Sequence, residues 1–157
     1  MSLNKIFRNT LLVFFASILL SACAVKTTGK MQGDVYTGKD TVEYLASGVP
    51  DRVFFATNET VLTTASRETL RKQASWLRKN SKINVVLEGH ADERGTREYN
   101  LALGDKRAFA VYSYLAQAGV DTNRMDYVSW GKERPEVIGS DETAYSQNRR
   151  GVTIVTN

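Results

Sequence analysis

Glu88, His90 and Asp92 alternate where an apolar run gives way to a polar turn, and Asn100 and Arg107 follow in a segment of helical spacing. Three chemistries suit such a set. Alternation would put Glu88, His90 and Asp92 on one strand face, where carboxylates and an imidazole can ligate a metal. His90 is the only histidine in the chain, so no second imidazole completes a usual zinc set, and a structural role fits it better. Nucleophilic catalysis lacks a serine in a recognisable nucleophile turn. Glu88 with Asp92 or Glu93 could form a glycosidase pair, although acids this close in sequence are ordinarily solvated loop charges.

The third chemistry is recognition of a zwitterion. Asn100 and Arg107 fall on one helix face about two turns apart, while Asp92 sits on the loop before that helix. Folding the helix back beside the strand brings a carboxylate, an amide and a guanidinium around one cleft. Such a cleft can hold an ammonium against Asp92 and a carboxylate against Arg107. An ion pair between Asp92 and Arg107 that only joins loop to helix is the structural alternative, and the residues by themselves favour neither.

The elements that must position these groups are readable from pattern. Arg52-Val53-Phe54-Phe55 is a short strand candidate followed by a polar turn. A helix is expected from Thr63 or Thr64, with a threonine hydroxyl as its cap, a buried face of Leu70, Ala74 and Leu77, and Asn80 as its stop. Ile83 to Glu88 reads as the clearest strand. The next helix should begin near Thr96, bury Ala108, Val111, Leu115 and Ala118, and end at Gly119 in a left-handed cap with Val120 packing back. Strands are expected over Met125–Trp130 and Gly151–Val155, with a short helix near Glu142–Gln147 between them. The order strand, helix, strand, helix, strand, strand predicts an α/β sandwich, its helices packed on a mixed four-stranded sheet.

The first 50 residues have a different character. Residues 1–22 have the layout of a secretory signal, with Lys5 and Arg8 ahead of an apolar core from Leu11 to Leu20. That core is shorter than the roughly 20 apolar residues a membrane-spanning helix needs. Without Lys5 and Arg8, the 21 basic residues come close to balancing the 17 acidic ones, and nothing points to nucleic acid as a partner. Leu20-Ser21-Ala22-Cys23 resembles the lipobox of bacterial lipoproteins, which implies that Cys23, the sole cysteine, is acylated and becomes the first mature residue. An ordinary signal cleaved after Ala22 would instead leave an exposed thiol in an oxidising compartment, a liability. Ala24 after the cysteine implies the inner leaflet of the outer membrane as the address. Residues 23–50, rich in Lys, Thr, Gly and Ser, read as a tether, with Val42, Tyr44 and Leu45 able to touch the domain of residues 51–157.

Glu88-Gly-His-Ala-Asp-Glu-Arg-Gly-Thr-Arg-Glu-Tyr-Asn-Leu-Ala-Leu-Gly-Asp-Lys-Arg-Ala108 resembles the signature of the OmpA-like peptidoglycan-binding domain family, and within it of the peptidoglycan-associated lipoproteins. The likeness runs from about Val53 to Val155 and includes Val128–Pro135 and Tyr145–Arg150. It implies an outer-membrane lipoprotein on the periplasmic face that binds peptidoglycan non-covalently, without enzymatic activity or cofactor. Diaminopimelate of the stem peptide is the implied ligand. Asp92 and Arg107 are the implied binding pair, with Asn100 assisting, Leu103 lining the pocket, and Phe55 and Ala56 contributing. Arg149 and Arg150 are expected mainly in structural ion pairs. The resemblance further implies the Tol-Pal system, TolB as a partner, and a part in envelope integrity and constriction during cell division. A cell-wall hydrolase using Glu88, His90 and Asp92 is the second reading. One departure stands out: relatives commonly carry an acidic residue after the first-strand Phe, where this chain has Ala56.

Overall fold

A computed structural model of the chain describes residues 44–156. The expected signal segment, Cys23 and most of the expected tether lie outside the described residues. Among the described residues, six strands and three α-helices follow in order: β1 (Tyr44–Ala46), β2 (Val49–Pro50), β3 (Arg52–Phe54), α1 (Thr64–Lys79), β4 (Val85–His90), α2 (Arg97–Gln117), β5 (Met125–Gly131), α3 (Glu142–Asn148) and β6 (Arg150–Val155). The main sheet has the order β3-β6-β4-β5. Its β4–β5 pair is parallel and the other two are antiparallel, so the expected mixed four-stranded sheet is present.

Residues 44–50, which composition assigns to the tether, form the β1–β2 hairpin. Buried Gln73 explains why it stays. Its Nε2 donates to Pro50 O at 2.7 Å and its Oε1 accepts from Thr153 Oγ1 at 2.8 Å, so one amide joins hairpin, helix and sheet.

Local chemistry sets the helix limits. The Thr63 hydroxyl accepts from the Ser66 N–H at 3.1 Å, satisfying an amide that α1 cannot pair internally. Leu70, Ala74 and Leu77 then face the core, and Asn80 closes the helix through Trp76 O. In α2 the cap is Thr96, bonded to the Tyr99 N–H. At its far end Gly119 has φ +85° and the Val120 N–H returns to Leu115 O at 3.0 Å, the geometry of a left-handed helix stop. Val53, Phe55, Leu70, Leu77, Val85, Leu87, Val111, Leu115 and Met125 belong to one apolar core between helices and sheet.

The bounds of β4 differ from expectation. The strand begins at Val85 rather than Ile83 and reaches His90 rather than Glu88. Ile83 is held in the turn instead, its N–H on Asn80 O and its carbonyl on Arg124 Nη1 at 2.8 Å. Arg124 also takes Asn80 O and Leu77 O, so a side chain distant in sequence caps α1 and delays the strand.

Two glycines let α2 lie directly on β4. A Cβ on Gly89 would stand 1.8 Å from Gly104 O, and one on Gly104 would stand 2.3 Å from Ser129 Oγ. Glycine within a helix costs about 1 kcal/mol relative to alanine, a loss offset here by backbone contact that no side chain permits. Gly89→Ala is therefore expected to lower unfolding free energy by about 3 kcal/mol or more, as read from urea denaturation.

Candidate functional site

The site lies where β3 and β4 end and α2 begins. After β4, Ala91 is held by its N–H on Gly131 O at 2.8 Å, and the chain turns through Gly95 at φ +90°. Two side chains fix that turn from outside. Asn100 Nδ2 donates to Arg94 O at 2.7 Å, and Lys132 Nζ donates to Glu93 O and Gly95 O at 3.1 and 2.7 Å. Asn100 is buried, and its role here is to hold the loop that carries Asp92.

Arg107 is 0% exposed. It sits one turn beyond the Gly89–Gly104 contact, so the close approach of α2 sets its depth. Its Nε donates to Glu59 O at 2.9 Å, Nη1 to His90 O at 2.8 Å and Nη2 to Ala56 O at 3.1 Å. The guanidinium also lies 5.2 Å from the centroid of the buried Phe55 ring, a favourable seat for a cation. Guanidinium has five N–H donors, so three carbonyls leave one hydrogen on each Nη for another acceptor. Burial and the charge of Arg149 lower the Arg107 pKa to about 10, against the opposing pull of Asp92. It remains a cation at neutral pH.

Asp92 is also buried, and its partners are Arg94 and Arg149 rather than Arg107. Arg94 Nη2 and Arg149 Nη1 donate to Oδ2 at 2.7 and 3.3 Å. Burial pushes the Asp92 carboxyl up, but hydrogen bonds from Arg94 and Arg149 outweigh it and leave the group below its ordinary value. Arg149 is fully buried, and it bonds Phe55 O through Nε and Glu142 through Nη2 at 2.6 Å. The structure thus brings Phe55, Ala56 and Arg107 into contact and links Asp92 to Phe55 through Arg149. Leu103 is half-buried on α2, one turn before Arg107. Across the mouth, the Tyr99 hydroxyl hydrogen-bonds the Asn58 side chain, and Asn58 takes φ +61° to meet it.

Glu88, His90 and Asp92 do not form one cluster. Gly89 faces α2, so the alternating pleat turns Glu88 and His90 to the other side of the sheet, whereas Asp92 lies past the strand end and faces the arginines. His90 Nε2 is 3.3 Å from Glu88 Oε2, but burial and the charges of Arg150, Arg134 and Arg52 lower its pKa to about 3, so the ring is neutral. Only its backbone carbonyl joins the site. Arg150 pairs with Glu136 at 3.3 Å, and Arg52 meets the other oxygen of Glu136 at 3.1 Å. Among the described residues, no group of three or more His, Cys, Asp or Glu is placed to hold a metal.

Sequence reasoning passed over Arg94, Glu142 and Tyr145. An Arg two residues after a turn Asp is a usable signal, since a turn carboxylate commonly bonds the amide two positions on; Arg94 N donates to Asp92 Oδ1 at 3.1 Å.

The chain is similar in sequence and fold to known proteins. The OmpA family model matches residues 54–149. The chain belongs to the OmpA family. It is 41% identical over 150 residues to a peptidoglycan-associated lipoprotein of Brucella melitensis, covering 92% of this chain and 89% of that one. A protein of the same name from Rhizobium meliloti is 50% identical over 107 residues, covering 68% and 61%. Among solved structures, the peptidoglycan-associated lipoprotein of Burkholderia pseudomallei aligns with TM-score 0.68 at 34% identity, over 77% of this chain and all of that one. The C-terminal domain of Helicobacter pylori MotB shares the OmpA-family fold at TM-score 0.62 and 19% identity, covering 66% of this chain and 83% of that one. No described helix is long and apolar enough to cross a membrane.

His90 and Asp92, two perturbed buried groups of this OmpA-family domain, contribute to its acid response. Unfolded, His90 takes up a proton near 6.5, and folded only near 3; stability therefore falls as pH drops through that window, because the unfolded state binds the extra proton. Asp92 adds stability above its ordinary value of 3.8 that is lost as pH falls below it. Thermal melts from pH 7 to 3 should show a falling Tm, and His90→Gln should flatten the decline above pH 4.

Proposed function

We propose that this chain is an outer-membrane lipoprotein that binds peptidoglycan non-covalently and so holds the membrane to the cell wall. The observation that carries the reading is Arg107: a buried cation held by three carbonyls, with one hydrogen left on each Nη, in the electrostatic field of the buried Asp92 carboxylate. The names of the full-length relatives, peptidoglycan-associated lipoproteins, support the same conclusion.

In this reading the free end of stem-peptide diaminopimelate enters between the loop after β3 and the loop after β4. Its carboxylate meets Arg107 and its ammonium meets Asp92, with Phe55, Ala56 and Leu103 forming the wall and Asn100 keeping the loop in place. Ala56 contributes through its carbonyl, which already orients Arg107, so the missing acidic side chain removes one contact without removing the cation. No covalent chemistry and no cofactor are involved. Cys23 carries the lipid, the tether gives reach, and the domain works on the periplasmic face within the Tol-Pal system. TolB is its protein partner, on a surface overlapping the wall-binding cleft. That places the chain in envelope integrity and constriction during division.

Arg107→Ala is a poor probe, because it takes the side-chain donor from the buried His90 carbonyl, at about 1–3 kcal/mol, and also releases Glu59 O and Ala56 O. Asp92→Asn keeps the shape and removes the charge that meets the ammonium. The full chain carrying Asp92→Asn should lose at least about tenfold in affinity for diaminopimelate-type cell wall by co-sedimentation, since a hydrogen bond to a charged group is worth about 1.5–3 kcal/mol. Cell wall with lysine at that position lacks the distal carboxylate and should bind the native chain poorly. Equal binding of the variant, or of the two wall types, overturns the site.

A further inference from the structure

The Asp92 carboxylate is already saturated. Oδ1 accepts from the Arg94 backbone N–H and from Arg94 Nε, both at 3.1 Å. Oδ2 accepts from Arg94 Nη2 at 2.7 Å and Arg149 Nη1 at 3.3 Å. A carboxylate offers about four lone-pair sites, so a ligand ammonium finds no position until a present donor leaves.

The two arginines differ in their freedom to do so. The Arg149 side chain is 1% exposed and is pinned by Phe55 O and Glu142 as well. The Arg94 side chain is 43% exposed. It rests over the Tyr145 ring at 4.4 Å, touches Thr57 Oγ1 at 3.4 Å through Nη2, and has Nη1 only 4.0 Å from Glu142 Oε2. Tyr145 is itself fixed by its hydroxyl on Glu93 at 3.1 Å. A ring to slide along and a second carboxylate to receive it are both in place.

We infer that Arg94 is an internal competitor of the ligand's cation: its guanidinium occupies the ammonium position on Asp92 in the free protein and moves to Glu142 when a charged amine displaces it. The inference rests on the zwitterion reading of the site. Exchange of one cation for another keeps Asp92 paired throughout, so the buried carboxylate is never left without a partner. The Arg94 backbone N–H stays on Oδ1 and keeps the carboxylate aimed. Binding is then weaker than the contacts of the ligand amine alone would make it, because the fork of Arg94 on Asp92, a strong form of ion pair, must first be broken. Such a device favours reversible attachment.

Isothermal titration of the full chain tests this with two soluble probes: a stem tripeptide ending in diaminopimelate with its N-terminus blocked, and the same peptide also acetylated on the distal amine of the diaminopimelate. Arg94→Ala removes the competitor without touching the core, and its Tm reports that the fold is kept. The unmodified peptide should bind Arg94→Ala about two- to fivefold tighter than the native chain, the range of a partly exposed ion pair. The acetylated peptide cannot displace a guanidinium, so its weak binding should be the same in both. Weaker binding of the unmodified peptide by Arg94→Ala would make Arg94 a ligand contact and overturn the inference. Unchanged binding, or equal tightening for both peptides, overturns it too. Asp92→Asn in the same titration separates the two levels: if it keeps native affinity, the site itself is wrong; if it loses affinity while Arg94→Ala gains none, only the competitor is.

Discussion

The fold around the cleft depends on one buried guanidinium gathering three backbone carbonyls. His90 O comes from the end of β4, and Ala56 O and Glu59 O come from the loop after β3. The His90 carbonyl is buried, where a missing partner is costly, whereas Ala56 O also accepts from the Glu59 N–H at 3.1 Å. Arg107 satisfies all three from α2. A helix, a strand end and a loop are thereby locked together by a group that keeps donors to spare. This arrangement is possible because Gly89 and Gly104 allow helix and strand backbones to touch, which brings the Arg107 side chain under the loop.

Charge balance follows from the same placement. Arg149 is a second buried cation, and Asp92 and Glu142 compensate it at 3.3 and 2.6 Å. Arg149 ties the acidic side of the cleft to Phe55, while Arg107 ties the basic side to Ala56. The two halves are separate networks that meet at the end of β3. This separation explains how an acidic and a basic group can lie close without neutralising one another: each is oriented by its own partners. The proposed zwitterion site rests on this pair of opposite charges.

Much of the fold was legible in the sequence because its determinants are local. The hydroxyls of Thr63 and Thr96, the left-handed Gly119 and the apolar faces of both long helices act within a few residues of their own position. The start of β4 was not legible, since Arg124 fixes it from beyond α2 through carbonyls that no side-chain pattern reports. At the site, the residue types of Asp92 and Arg107 could be read, and so could the turn between them. Their partners could not. Arg149 reaches Asp92 across 57 positions, and Arg107 bonds only backbone. Asn100, expected beside the ligand, bonds a loop carbonyl, because the turn through Gly95 leaves Arg94 O facing α2.

Nitrogen-15 NMR of the arginine side chains during titration with a stem tripeptide ending in diaminopimelate addresses Arg107 most directly. Its Nε resonance is identifiable by assignment, and its burial slows exchange of the attached protons. If Arg107 receives the ligand carboxylate, its guanidinium resonances move in step with saturation. Resonances of Arg107 that stay in place while the peptide binds would contradict that role.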